Sequence, residues 1–371
     1  MSIPINSKGR FFWTVLFVVI CVSFLSLGYG SRAESQVDKK VIEAYEMRMQ
    51  GKADEARAQL EQFLTENPND APAHYELART KYQMGLSNPR EMMTVLEDMQ
   101  QTIEQAIKND PDNVIYPFFA GHIAFMSAFV ALQGNQSDAK EKVAKLCSVY
   151  DSVLKLKPDY KVALLYLVEI YANLPEEMGG DKLKAEQYAK KLEEMDKIYG
   201  AKARAILMPE DADYVGYWKS VLEEHEGNID VIVDLGRAYL LKGEAEDGVD
   251  CYEKALKIDP TINLLLLDLA RYYGMRGLRD ETLREASLPL SEKMYRRYLE
   301  TEPILPLKAF ATRQLANLKR IMGDKEEAEK LFAEAEAIDP FVSKAFGVPT
   351  LDLFIPVREI SHKHRYHFTP F

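Results

Sequence analysis

Apolar residues recur along most of the chain at the spacing of an α-helix rather than that of a β-strand. In the clearest segment Leu235, Gly236 and Tyr239 fall at i, i+1 and i+4, so they share one stripe of a helix. Tyr252 and Ala255 follow at i and i+3 and form the stripe of a second helix. Because Gly236 has no side chain, a neighbouring helix can approach it closely. The pattern predicts two amphipathic helices that pack against each other.

Two residues mark the ends of these helices. Gly243 predicts the end of the first helix, because glycine adopts a positive φ at low cost. Pro260 cannot continue the second helix and closes the segment. Neither helix can bury its apolar face alone, so such segments must stack on one another.

The same pattern returns over residues 37–342, in units of about 34 residues where no insertion occurs. Prolines that close other units are Pro68, Pro111, Pro158, Pro303 and Pro340. The pattern resembles the tetratricopeptide repeat, a pair of antiparallel helices. The resemblance implies an all-α fold, a right-handed α-solenoid of about eight helical hairpins.

Three units depart from the regular length. The second helices of units two and three are predicted to be longer, at about 90–109 and 138–156. In unit seven, Pro289 predicts an added loop before Ser291. The fifth unit is degenerate, with Gly227 where a proline is usual.

The first 33 residues differ from the repeats. Lys8 and Arg10 precede an apolar segment over 11–30, which is typical of a signal peptide or a signal anchor. Small residues near Gly30 and Ala33 permit cleavage, whereas the length of the apolar run favours retention. The chain is therefore expected in a bacterial cell envelope. Its body would lie in the periplasm, held by a single inner-membrane span or released after cleavage.

The last residues, 343–371, also leave the repeat pattern. Apolar residues such as Leu353 and Phe354 predict that this extension docks on the final repeat as a cap. His362, His364 and His367 lie beyond it and are weak candidates for zinc or copper ligands. Solvated histidines in a tail are the alternative, and no cofactor is expected.

Charge narrows the range of partners. The chain has a net charge of −11, and its basic N-terminus contains no acidic residue. A strongly acidic body argues against binding to nucleic acid or to anionic membrane surfaces. Contact with a membrane is expected only through the N-terminal segment, if it is uncleaved. The oligomeric state is left open.

Several side chains are candidates for binding a partner in the concave groove that the repeat family forms with its first helices. Arginines occupy one equivalent position in four units, His122 occupies it in unit three, and Arg313 shares the face in unit eight. The arginines of the four units are Arg79, Arg204, Arg237 and Arg271. They would bind acidic segments, because guanidinium binds carboxylate bidentately. Pairing with Glu76, Asp234 or Asp268 three residues earlier is the alternative, and Arg204 has no acid at that spacing.

Apolar groove positions add a second kind of candidate. Phe118, Phe125 and Met126 could form an apolar pocket for a partner side chain, or they pack within the core. The loop from Pro175 to Asp181 contains Gly179-Gly180 and resembles a loop of periplasmic repeat proteins associated with TRAP-type solute transporters. Ordinary turn chemistry also explains this loop.

These observations favour a protein–protein interaction scaffold or adaptor of the cell envelope. The alternative is a periplasmic accessory protein of a solute transporter that binds a small molecule. No nucleophile, zinc, thiol-redox or phosphate-loop signature is present in the sequence, so an enzyme is not expected.

Overall fold

The structure, a computed structural model, describes residues 37–345 except 88 and 135, together with Leu353 and Phe354. This part of the chain contains sixteen α-helices, four short 3₁₀ turns and no β-strand. The α-helices are α1 Lys39–Met49, α2 Ala53–Glu66, α3 Ala71–Gly85, α4 Pro89–Asn109, α5 Ile115–Gln133, α6 Ala139–Leu156, α7 Lys161–Asn173, α8 Lys182–Met195, α9 Lys197–Leu207, α10 Tyr214–Glu224, α11 Ile229–Lys242, α12 Ala245–Ile258, α13 Leu265–Arg279, α14 Arg284–Glu300, α15 Leu305–Met322 and α16 Lys325–Ile338.

The helices follow one another as eight successive pairs, which confirms the predicted all-α repeat architecture. In seven pairs the two helices pack closely against each other along the chain. The fifth pair, α9 and α10, is different. Helix α9 packs on α7 and α8, whereas α10 packs on α11. The degenerate fifth unit is therefore divided between its neighbours and does not form a hairpin of its own.

The glycines of unit six have the roles that the pattern predicts. Gly243 follows α11 with a φ of 89°, in the left-handed region that favours glycine. At Gly236 an added Cβ would lie 2.7 Å from a ring carbon of Tyr252 and 2.9 Å from the Cβ of Cys251. Helices α11 and α12 thus meet at a distance that only glycine allows.

The longer second helices of units two and three are confirmed by α4 and α6. The loop predicted at Pro289 is wrong, because this residue lies inside α14. Its missing N–H leaves the carbonyl of Glu285 without its helical partner, near the start of the helix. Buried contacts compensate for this loss: Tyr295 and Tyr298 pack in the core, and the Ser291 hydroxyl donates to the Ala270 carbonyl at 2.7 Å.

Helix α5 is unusually apolar. Over Ile115–Leu132 it is the one helix in the described ranges that is long and apolar enough to cross a membrane. More than half of that stretch is buried against neighbouring helices, as in the core helix of a repeat. Phe125 and Phe129 are its exposed aromatic residues, and their rings stack 6.3 Å apart. The N-terminal segment predicted as signal or anchor lies outside the described residues.

The extension after α16 contacts both ends of the repeat array. The turn Val342–Lys344 packs on α15 of the last repeat. Further along, the carbonyl of Leu353 accepts from the Arg79 guanidinium, and that of Phe354 accepts from the Tyr45 hydroxyl at 2.8 Å. Docking was predicted on the final repeat alone, whereas these two residues lie on the first helices of units one and two.

The end of the last helix also meets units one and two, through a network of buried polar side chains that we call the closure cluster. Its members are Arg48, Glu76, Arg79, Gln83 and Asp339, and each is fully buried. Arg48 donates through Nε to Glu76 at 2.6 Å and through a terminal nitrogen to Gln83 at 2.8 Å. Gln83 then donates to Asp339 at 2.9 Å. The cluster holds two guanidinium groups and two carboxylates, so its formal charge is zero.

Candidate functional site

A cavity of about 700 Å³ lies among the helices of units four to eight. Helices α7, α9, α10, α11, α13, α14 and α15 contribute to it, together with the turn before α13 and the segment 301–304. Most of these are first helices of their units. Its volume falls within the range of about 300–1,000 Å³ that is usual for ligand sites.

The wall of the cavity is largely apolar and partly aromatic. Trp218 and Tyr214 line it from α10, and Leu165 and Leu307 line it from α7 and α15. Trp218 is buried, and the ring of Tyr217 contacts it edge-on at 5.3 Å between ring centroids. Such a wall can bury the apolar part of a ligand, while polar groups in it fix the orientation.

Two cationic and four anionic side chains also line the cavity. The two cations share one carboxylate. Arg237 donates to Asp234 at 2.8 Å, and the Lys202 ammonium lies 3.5 Å from the other oxygen of Asp234. Both cations therefore already have an acidic partner within the protein.

Asp268 differs from Asp234. Its residue is only 8 % exposed, and among the described residues no cation lies within 4 Å of its carboxylate. Burial raises the pKa of Asp268 to about 6, although the more distant Arg237 and Arg271 oppose the shift. A buried carboxylate without a direct partner costs free energy, and it lies where a ligand could pair with it.

A second unsatisfied group lines the cavity. Tyr298 is fully buried, and within the described part of the chain its hydroxyl has no hydrogen-bond partner. Burial holds the pKa of Tyr298 above its usual range. Its hydroxyl group is therefore neutral at physiological pH and available as a hydrogen-bond donor.

Comparison with protein families identifies the repeats. Two models, each described as tetratricopeptide repeat, match residues 229–262 and 47–83. The first match covers α11 and α12, and the second covers the end of α1, all of α2 and most of α3. The chain is a tetratricopeptide-repeat protein. Repeats of this kind generally mediate protein–protein interactions, and their arrays present extended binding surfaces.

Curated protein sequences gave no significant match. Among solved structures, the tetratricopeptide-repeat protein resembles "Crystal structure of MamA" at 17 % identity, over 59 % of this chain and 95 % of that one, with a TM-score of 0.29. It also resembles "Human IFIT1 dimer with PPP-AAAA" at 14 % identity, over 79 % and 88 %, with a TM-score of 0.32. At these scores neither structure bears on function.

The arginines predicted for the groove of this tetratricopeptide-repeat protein do not share one environment. Arg79 is fully buried in the closure cluster, 3.3 Å from Glu76, and is therefore a core residue. Arg237 lines the cavity, paired with Asp234 as the alternative predicted. Arg313 lies over the ring of Phe332, 4.8 Å from its centroid.

Arg204 has acidic partners in the structure, although none lies three residues earlier on its own helix. Its guanidinium pairs with Glu186 at 2.6 Å and also with Glu193, both on helix α8. The acids come from the preceding helix of the fold, so the search at i−3 on its own helix did not find them. Arg271 differs from the others, since no carboxylate lies within 4 Å of it in the described ranges. The predicted pair between Asp268 and Arg271 is thus not formed.

Phe118 and His122 belong to a different part of the protein. Phe118 is buried, with Tyr160 at 4.9 Å and Tyr166 at 6.3 Å between ring centroids. His122 is half-buried, with its ring 5.2 Å from that of Phe118. Core packing therefore accounts for Phe118, and neither residue lines the cavity.

The loop that resembles transporter-associated proteins forms a tight local turn. Gly179 has a φ of 103°, and the Asp181 side chain accepts from the amide of Lys184 and caps α8. At Gly180 an added Cβ would lie 1.8 Å from the Leu174 carbonyl oxygen. Backbone geometry explains both glycines, and the loop does not line the cavity.

In the described ranges, no three His, Cys, Asp or Glu side chains lie close enough together to hold a metal ion. His362, His364 and His367 lie outside these ranges. The residues that sequence reasoning did not select are Lys202, Trp218 and Tyr298. Asp268 was noted only as a neutralising partner, although its place in the apolar run Leu264–Leu269 was visible.

Proposed function

We propose that this tetratricopeptide-repeat protein is an interaction scaffold or adaptor of the bacterial cell envelope, and that it binds a segment of a partner protein at the cavity-bearing face. The observation that carries the proposal is the cavity itself. It lies among successive first helices, the helices that line the inner face in this repeat family. No catalytic role is proposed.

An exposed leucine at the cavity provides the test. Leu241 lines the cavity and is 67 % exposed, so Leu241→Asp changes the binding surface with little effect on folding. The matched control is Leu183→Asp, at a leucine of α8 that is 77 % exposed and away from the cavity. In pull-downs of the full chain from envelope extract, partners retained by wild type and by Leu183→Asp should be lost with Leu241→Asp. Equal capture by both variants would place the binding face elsewhere.

An acidic partner segment is a finer part of the proposal, and it rests on Arg271, which does not line the cavity. This guanidinium has no carboxylate within 4 Å in the described part of the chain, in contrast to Arg204 and Arg237. In the same assay, Arg271→Ala should weaken capture more at low salt than at high salt. The same replacement at Arg57, an exposed arginine of α2, should leave capture unchanged.

The location in the envelope is proposed from the N-terminal sequence. Lys8 and Arg10 precede the apolar segment 11–30, and a long domain follows it. We therefore expect alkaline phosphatase fused after residue 40 to be active, and green fluorescent protein fused there to be dark when exported by the same route. A bright fluorescent fusion with an inactive phosphatase would place the body in the cytoplasm.

A periplasmic accessory protein of a solute transporter, binding a small molecule, is the second candidate. The volume of the cavity and its apolar wall support a small ligand. The link to a transporter rests only on the loop from Pro175 to Asp181. A small molecule that copurifies with the full chain and is displaced in Leu241→Asp would favour this candidate.

A further inference from the structure

We infer that the cavity among units four to eight binds an organic ammonium group carried on an apolar chain, with Asp268 as its counter-ion. The source of the ammonium is a partner's lysine side chain or a free amine, and the two share this chemistry. The inference names the ligand class for the site of the proposed function.

The charges at the cavity favour a cation over an anion. Four of the six formally charged side chains that line it are carboxylates, so its formal charge is −2. Both cations are held by Asp234, at 2.8 Å for Arg237 and 3.5 Å for Lys202. An anionic ligand would have to compete with Asp234 for them. A cationic ligand meets a carboxylate that is still available.

That carboxylate belongs to Asp268. It lines the cavity, its residue is 92 % buried, and no cation of the described residues lies within 4 Å of it. An ammonium donates three hydrogen bonds and carries one positive charge. It therefore supplies what the buried carboxylate lacks, and the unpartnered hydroxyl of Tyr298 offers a further oxygen in the lining of the same cavity.

The wall suits the rest of such a ligand. Trp218 and Tyr214 supply aromatic surface, and cations are attracted to the faces of such rings. Aliphatic side chains, among them Leu165 and Leu307, complete an apolar surface for a chain of several methylene groups. An inorganic cation would leave this surface without a partner, so the cavity fits an amphiphilic organic cation better.

Titration calorimetry of the full chain with hexylammonium tests the inference. Hexanoate and hexanol have the same chain length with a negative charge and with no charge. Hexylammonium should bind at least about 10-fold more tightly than hexanoate or hexanol, as expected when a desolvated charge pairs with its counter-ion. No detectable binding at millimolar concentrations, or binding of hexanoate with equal affinity, would overturn the inference.

Variants separate the role of Asp268 from general effects. Asp268→Asn keeps the shape of the side chain, removes its charge and should weaken hexylammonium binding by about 10-fold or more. Asp250→Asn is the matched control, because Asp250 is exposed on α12 and does not line the cavity. If Asp268→Asn binds hexylammonium as wild type does, Asp268 is not the counter-ion.

Two further comparisons distinguish the source and the function. A capped tripeptide Gly-Lys-Gly that binds more tightly than hexylammonium, and loses affinity when norleucine replaces lysine, indicates a partner's lysine. The reverse order indicates a free amine. Hexylammonium binding without any partner lost in Leu241→Asp would retain this inference and remove the proposed scaffold function. If Leu241→Asp loses a partner but wild type does not bind hexylammonium, the scaffold function is retained and this inference is overturned.

Discussion

Glu76→Ala should destabilise the protein by about 3–5 kcal/mol, the usual cost of removing one partner from a buried ion pair. Glu76 bonds Arg48 at 2.6 Å and lies 3.3 Å from Arg79, and all three side chains are fully buried. Its removal leaves two guanidinium groups in the core with one remaining carboxylate, Asp339, within the closure cluster. Denaturation with urea, followed by circular dichroism, measures the effect.

The control is another glutamate in a helical ion pair. Glu43 pairs with Lys39 at 3.1 Å, but both side chains are exposed, so Glu43→Ala should cost no more than about 0.5 kcal/mol. In Glu76→Ala, amide exchange should also accelerate in α1 and around Asp339 together, because the cluster joins them. Similar unfolding midpoints for the two variants would show that the buried cluster contributes little.

In contrast to Glu76→Ala, Asp268→Asn should stabilise the protein at pH 7. Burial raises the pKa of Asp268 to about 6, from an ordinary value of 3.8. The folded protein therefore binds a proton more tightly than the unfolded chain does. The stability that this carboxyl group contributes is fully present below its pKa in the unfolded chain, and it is lost as the pH rises through its pKa in the folded protein, about 6. A pKa shift of this size lowers the free energy of unfolding at pH 7 by at most ~3 kcal/mol, and Asp268→Asn should regain this amount.

The measurement is the difference in unfolding free energy between Asp268→Asn and wild type from pH 4 to pH 8. It should grow as the pH rises through 6, whereas the exposed control Asp250→Asn should show no such trend. Other buried acids such as Asp339 are common to the three proteins and cancel in the difference. A flat difference would mean that Arg237 and Arg271 already compensate the charge. Greater stability would also separate any loss of ligand binding from unfolding.

The helices were predictable because the positions that decide them are close together in the sequence. The stripe with Leu235 and Tyr239 and the stop at Gly243 depend on spacings of one to eight residues, and the structure has the predicted helices there. Pro289 was misread because the local rule against proline in a helix is overridden by the buried face around Tyr295 and Tyr298.

Contacts between units were not predictable in the same way. Arg204 finds its acids 18 and 11 residues earlier on another helix, at spacings that no single-helix rule covers. Gln83 and Asp339 are 256 residues apart, so nothing in the local pattern connects them. Only part of the cavity was predictable from the sequence, because the repeat position identified Arg237 alone among its charged residues. Lys202, Trp218 and Tyr298 line it from other positions and from different helices, which the repeat pattern does not connect.

Contact between the first and last units restricts how the gene can vary. An array whose units touch only their neighbours can gain or lose a terminal unit with little effect on the rest. Here Gly51 lies so close to the end of α16 that an added Cβ would be 2.1 Å from the carbonyl oxygen of Ile338, and Gln83 reaches Asp339. Duplicating or deleting one repeat would shift the last helix by a whole unit and separate both contacts. The number of repeats is therefore a fixed property of this chain, and length variants are expected in its loops.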